Sequence, residues 1–226
     1  MSTITIGVDI GQRRDPTAIA VVEGEDRPGP TQRPVWHHVA RHLERLPLGT
    51  SYPDVAARVS AVVASVTARA GATPAVYLDA TGVGTPVVDV LRQAGIAGRL
   101  IPVYFTYGDR RTVNADGAVS LGKAWLVSRL QALLQGGWLH LPQTAEATAL
   151  HRELLDYEIK VDQDANERYG AFRVGSHDDL VTALGLATQV DRRDIPLQVT
   201  VLNRPAEHRP AWTPEAAWKA QRVARR

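Results

Sequence analysis

There is no cysteine among the 226 residues. That excludes a disulfide framework and a thiolate metal site. No apolar run approaches the ~20 residues needed to cross a bilayer. The N-terminus lacks the basic segment and apolar stretch of a signal peptide, so a soluble, cytoplasmic protein is expected. Internal repeats and low-complexity tracts are also missing. So is a strong overall charge: 26 Lys plus Arg face 24 Asp plus Glu, a net of +2. The charge is nevertheless uneven. From Asn203 to Arg226 there are six basic and two acidic residues, net +4, which leaves −2 for the rest of the chain. A basic tail on a mildly acidic body suits nucleic acid or an acidic partner; a solvated tail accounts for it equally well.

What is present is 44% hydrophobic sequence, enough for a sizeable core. The expected organisation is one domain over residues 1–202 and a basic C-terminal tail over 203–226. Thr3 to Gly11 is an apolar, β-branched run that reads as a buried strand. Asp15-Pro16 marks a turn, and Thr17 to Val22 is a second strand, so a hairpin is expected. Glu23 to Pro34 reads as a loop and Val35 to Leu43 as a third antiparallel strand. A helix is predicted from Tyr52 to about Arg69, with Val55, Val59, Val62, Val63 and Val66 at helical spacing and Gly71 as its stop. Strands over 75–78 and 100–104 flank a helix over 87–93, entered through Thr85 as N-cap and Pro86. A polar loop is expected over 106–118, then a helix over 120–135, a short strand over 139–141 and a helix over 144–156. A hairpin should pair 157–161 with 171–174, and a helix should cover 177–190. A strand within 191–202 and a terminal helix from Thr213 complete the reading. Three antiparallel strands followed by alternating strands and helices give an α/β fold with a mixed sheet flanked by helices.

Three apolar elements carry carboxylates where an unpaired charge would be expensive. Asp9 stands at the end of the first strand, before Gly11. Asp79 ends Val76-Tyr77-Leu78, before the Gly-rich Thr81-Gly82-Val83-Gly84. Asp178 and Asp179 open the run Leu180-Val181-Thr182-Ala183-Leu184. If these ends converge, their mutual repulsion calls for a divalent cation. Two strand carboxylates and a third from a helix N-terminus suit two ions ~4 Å apart, and hard oxygen ligands favour Mg²⁺ or Mn²⁺. One such ion activates water and the other stabilises a leaving 3′-oxygen.

These three motifs, in this order, resemble the nuclease domain of the phage terminase large subunit, within the ribonuclease H-like superfamily. The intervening Ser120-Leu121-Gly122-Lys123, Leu133-Leu134-Gln135-Gly136-Gly137-Trp138-Leu139 and Glu153-Leu154-Leu155-Asp156-Tyr157-Glu158 are similar to that family's late region. The resemblance spans about residues 4 to 190. It implies a ribonuclease H-like fold and a Mg²⁺- or Mn²⁺-dependent endonuclease. The expected reaction is two-ion phosphodiester hydrolysis of double-stranded DNA, as in viral genome packaging. Implied partners are DNA, a separate ATPase motor, and portal or other packaging proteins in the host cytoplasm. The expected catalytic residues are Asp9, Asp79 and Asp179; the expected metal ligands are these three and Asp178. His177 is a candidate outer group or a helix cap. A large subunit carries its motor ahead of the nuclease, whereas here the first nuclease strand begins three residues after Met1. An excised domain or a free-standing relative is therefore expected, without ATP-driven translocation by this chain alone.

Neighbouring helix positions differ by ~100°. Asp179 shares a face with Ala183, Leu186 and Val190, and Asp178 with the more polar Thr182, Gly185 and Gln189. Asp179 is thus expected to bind an ion directly, and Asp178 either to support the ligands from behind or to bind the second ion through water. Arg13, Arg14, Arg110, Arg111 and Lys123 are candidate DNA contacts, since Arg pairs suit phosphate; solvated surface is the plainer alternative for the arginines. Gly117 to Ala124 nearly matches a phosphate-binding loop, but Ala124 stands where the Mg²⁺-binding Ser or Thr belongs. Asp15 reads as a turn residue and the five tryptophans as core or interface. A Holliday-junction resolvase-like nuclease and a non-catalytic DNA- or capsid-binding module remain as alternatives. An actin-like sugar kinase, suggested by Val8-Asp9-Ile10-Gly11-Gln12, would need two such domains and a longer chain.

Overall fold

In the computed structural model, residues 2–11, 15–29, 31, 33–82, 84–161, 167–170 and 177–191 are described, all within one compact unit spanning Met1–Ile195. The expected boundary at 202/203, the basic tail, the strand within 191–202, the helix from Thr213 and the candidates Arg13 and Arg14 lie outside the described residues.

Three strands open the chain: β1 (Ser2–Asp9), β2 (Ala18–Pro28) and β3 (Pro34–Arg45). They pair antiparallel in sequence order, with a register shift between Val21 and Val22. β2 continues well into the stretch 23–34 that the sequence marked as a loop. Its polar end holds because Glu23 and Glu25 receive hydrogen bonds from Arg41 across the ladder, at 2.8 and 3.4 Å. Cross-strand charge pairs of this kind support a strand that buries little.

Helix α1 (Tyr52–Ala70) follows. Ser51 caps it by accepting a hydrogen bond from the Asp54 N–H, and Gly71 ends it in the left-handed region, φ 65°, as its sequence demands. Strand β4 (Ala75–Asp79), helix α2 (Gly84–Gln93) and strand β5 (Arg99–Thr106) come next. Helix α2 already includes Thr85, which therefore lies inside the first turn rather than ahead of it. Strands β6 (Arg111–Val113) and β7 (Val119–Gly122) occupy the expected polar loop and the start of the expected helix. Helix α3 (Lys123–Gln135) then leads to β8 (Leu139–His140) and α4 (Ala145–Asp156). Strands β9 (Glu158–Val161) and β10 (Glu167–Gly170) form a separate hairpin. Its second strand thus precedes the 171–174 stretch expected for it, which lies outside the described residues. Helix α5 (Asp179–Ala187) is shorter than the expected 177–190.

Among the described residues the main sheet has eight strands, in the order β6-β7-β5-β4-β1-β2-β3-β8. β4, β5 and β7 continue parallel from β1, and β8 runs parallel to β3. Alternation along the strands divides the core in two. Ile6, Val8, Ile19, Val21, Val76 and Leu78 pack with Val55, Val59 and Val63 of α1 and Leu91 of α2. Ala18, Ala20, Val22, Tyr77, Ile101 and Val103 pack with α3, α4 and α5. Among the described residues no helix is long and apolar enough to cross a membrane.

Candidate metal centre

The two-residue period places the strand carboxylates. Ile6 and Val8 of β1 belong to the α1–α2 side of the core, so Gly7 and Asp9 face α5. In β4, Val76 and Leu78 take the α1–α2 side, so Asp79 joins Asp9. The strands are parallel neighbours with Val8 opposite Leu78, which sets Asp9 and Asp79 side by side at their exits. Helix α5 lies against this face so closely that a Cβ on Gly7 would stand 2.0 Å from the Ala183 carbonyl oxygen and 2.5 Å from the Ala187 nitrogen. One turn before Ala183 comes Asp179, and two residues after Gly7 comes Asp9. Both line one cavity of about 190 Å³, with Asp15, Asp79, Asp178, Gly82, Lys123 and Thr182 also in its wall.

All nine residues of α5 are buried. The expected polar face of this helix is therefore absent: Thr182 and Gln189 are as enclosed as their apolar neighbours. Asp178 precedes the helix as its N-cap residue, with φ −131° and ψ 13°, so the ~100° step between helical neighbours does not govern where its side chain points. Asp178 and Asp179 both reach the cavity, one from the cap and one from the first turn.

Asp9, Asp79, Asp178 and Asp179 crowd one another across this small space, while Asp15 is exposed at its wall. Burial raises the Asp9 carboxyl well above the ordinary carboxylate range, and repulsion from Asp79, Asp178 and Asp179 adds to it, while Lys123 opposes. Burial likewise raises Asp79, against hydrogen bonds from Thr81 and the Lys123 ammonium. Asp79 is held in place by its Oδ1, which accepts the Thr81 N–H at 2.8 Å. Thr81 Oγ1 in turn accepts the Phe105 N–H at 2.7 Å.

A second cationic partner carries no local signal in the sequence. Arg45, the last residue of β3, donates from Nε to Asp179 Oδ2 at 2.7 Å and from Nη2 to Oδ1 at 3.2 Å. Its Nη2 also donates to Glu153 Oε1. The other Glu153 oxygen accepts the Leu180 and Val181 N–H groups at 3.1 and 3.2 Å. Glu153 thereby caps α5 from another helix, where Asp178 makes no side-chain cap bond. Asp179 and Glu153 are 3% and 6% exposed, so Arg45 balances two charges that water scarcely reaches. Asp15 was missed as well: it is a turn residue and also a cavity carboxylate, with Oδ1 3.8 Å from His177 Nδ1.

The remaining candidates fall around the rim. Lys123 opens α3, lines the cavity and lies 5.4 Å from the Phe105 ring centroid. Gly122 fits beneath the 108–110 loop, since a Cβ there would meet the Gly108 carbonyl oxygen at 2.1 Å. Arg110 is thus beside the start of α3, exposed, with its carbonyl accepting the Gly122 N–H. Arg111 is turned away from solvent in part and donates to Gln189 Oε1 at 3.1 Å. His177 lines an adjoining cavity of about 370 Å³ with Pro16, Arg45 and Leu48. The Gly117–Ala124 stretch is no phosphate loop: Gly117, φ 83°, closes a turn onto Asn114, and strand β7 follows.

Among the described residues, no three acidic or histidine side chains stand arranged to enclose an ion as they are. Both Asp179 oxygens already accept hydrogen bonds from Arg45. The donor chemistry nonetheless fits a hard divalent cation: oxygens only, from carboxylates fixed on two strand ends and a helix start, in a cavity of ion-plus-water size.

A sequence profile described as the terminase RNaseH-like domain matches residues 6–189. The fold is similar to that of the large terminase nuclease of thermophilic phage G20c, with 24% identity, 84% of this chain and 83% of that one covered, and a TM-score of 0.61. The same phage nuclease with bound magnesium aligns at 23% identity over 82% and 80% of the two chains, TM-score 0.59. The manganese-soaked human cytomegalovirus terminase nuclease domain aligns at 16% identity over 84% of each chain, TM-score 0.53. No curated protein sequence matches the chain.

Proposed function

The chain belongs to the terminase RNase H-like domain family, and from that premise we propose that it is a Mg²⁺- or Mn²⁺-dependent endonuclease. It cuts double-stranded DNA by two-ion phosphodiester hydrolysis during viral genome packaging. The observation that carries this reading is the single cavity walled by Asp9, Asp79, Asp178, Asp179 and Lys123. Asp9, Asp79 and Asp179 would hold the ions directly, and Asp178 would reach one through water. When bound, the ions supply a nucleophilic water and charge neutralisation at the leaving oxygen.

The chain's own groups do the positioning. The ladder between β1 and β4 fixes Asp9 against Asp79, and the Thr81 N–H orients the Asp79 carboxylate. Glu153 anchors the start of α5, which sets where Asp178 and Asp179 enter. Lys123 would meet a non-bridging oxygen of the scissile phosphate, and Arg110 would track the adjoining backbone. Partners would be DNA, a separate ATPase motor and portal or other packaging proteins.

Supercoiled plasmid tests the reading. Relaxation and linearisation should require Mg²⁺ or Mn²⁺, proceed without ATP and stop in EDTA. Equal cutting in EDTA removes the metal reading; no cutting with any divalent ion makes the chain a binding module.

A further inference from the structure

We propose that Arg45 is a built-in counter-ion that keeps the metal affinity of the DNA-free protein low. The proposal rests on the cavity being an ion site, as argued above. Asp179 Oδ1 and Oδ2 both accept hydrogen bonds from the Arg45 guanidinium, at 3.2 and 2.7 Å. A divalent ion that uses Asp179 must therefore share its oxygens with the Arg45 guanidinium or displace it. The arginine is not free to leave cheaply. Its Nη2 is shared with Glu153, which is tied to two backbone N–H groups of α5. Arg45 side-chain exposure is 29%, against 4% and 7% for its two partners. Losing the fork leaves buried carboxylates exposed to each other's charge. The guanidinium thus does for Asp179 what an ion would do, and it opposes an incoming cation by repulsion as well.

The consequence is a sign. Removing the Arg45 charge should tighten ion binding, because Asp179 is released and a neighbouring cation is gone. Removing the Glu153 charge should weaken it, because an anion is lost and Arg45 is left to Asp179 alone. A merely structural role would weaken ion binding in both variants. Arg45 is a positioning residue in this scheme: it acts through Asp179 and need not touch DNA.

The test is Mn²⁺ binding to the full chain without DNA, by calorimetry and by the thermal shift that Mn²⁺ produces, with circular dichroism as a check on folding. Arg45→Gln should lower the Mn²⁺ dissociation constant on the order of tenfold, the scale of one nearby unit charge in a partly solvated site. It should also show a larger Mn²⁺ thermal shift than the parent. Glu153→Gln keeps an oxygen for the Leu180 and Val181 N–H groups and should raise the constant several-fold. Arg45→Lys keeps the charge and should stay close to the parent. Unchanged or weaker binding in Arg45→Gln, with the parent binding normally, overturns the counter-ion role alone. If Arg45→Gln does not fold, parent-like or tighter binding in Glu153→Gln overturns it. A parent that binds no Mn²⁺ overturns this proposal together with the metal reading it rests on.

Discussion

Gly7→Ala adds one methyl group where helix and strand meet. A Cβ at that position would sit 2.0 Å from the Ala183 oxygen, 2.5 Å from the Ala187 nitrogen and 2.9 Å from the Leu186 Cβ, whereas ordinary contact begins at 3.4 Å. The two nearest atoms are backbone, so no rotamer change relieves them. Either α5 retreats by about 1.4 Å, the difference between 3.4 and 2.0 Å, or β1 bends. Overpacking of this kind costs about 3 kcal/mol, at the upper end of the usual range. For a unit of this size that is a fall in Tm of roughly 6–12 °C. The functional cost is separate. Asp179 rides on α5 one turn from the clash, and a displacement near 1 Å at a reacting centre can cost about 10²-fold in rate. Calorimetry in EDTA and plasmid cleavage at saturating Mn²⁺ measure the two effects. A Tm within about 1 °C of the parent with undiminished cleavage would refute the close approach of α5 to β1.

Four other outcomes are expected. His38 is 2% exposed, and burial, together with the Arg129 charge, lowers its pKa to about 4. The neutral ring therefore favours the fold above 6.5, and about 3 kcal/mol should be lost as pH falls from 6.5 through 4; urea titrations across that window, flattened in His38→Gln, check it. Asp9 and Asp79 are shifted the other way, so they bind protons more readily folded than unfolded and destabilise the ion-free protein as pH rises above the carboxylate range. The Mn²⁺-induced gain in Tm should then grow with pH, and a gain that is flat from pH 4 to 8 would count against it. Asp179→Asn should abolish plasmid cleavage with the fold retained on circular dichroism, while Asp178→Asn keeps part of it; the reverse ranking would exchange their roles. Deleting residues 203–226 should weaken DNA binding in filter or anisotropy assays and flatten its salt dependence, since the tail holds the basic excess.

The parts legible in the sequence are those that a local pattern determines. Alternation in Ile6-Gly7-Val8-Asp9 and Val76-Tyr77-Leu78-Asp79 fixes which face each carboxylate takes, and Ser51 and Gly71 punctuate α1 as their chemistry requires. Strands β6 and β7 were not legible because three or four residues are too few to establish a period. The outer half of β2 was hidden because its support comes from Arg41 on another strand.

Arg45 and Glu153 stand 134 and 108 residues away from the partners that define them, Asp179 and Arg45 respectively. No spacing rule reaches so far. A buried carboxylate must be paired, hydrogen-bonded or neutralised; Lys123 serves Asp9 and Asp79, while Asp179 takes Arg45. Only the meeting of β3, α4 and α5 supplies that second cation. That cation lies on the strand end next to the cavity and makes two-point contact with an expected metal ligand. On the proposed reading, the charge that stabilises the ion-free fold and the charge that opposes an incoming ion are then the same guanidinium.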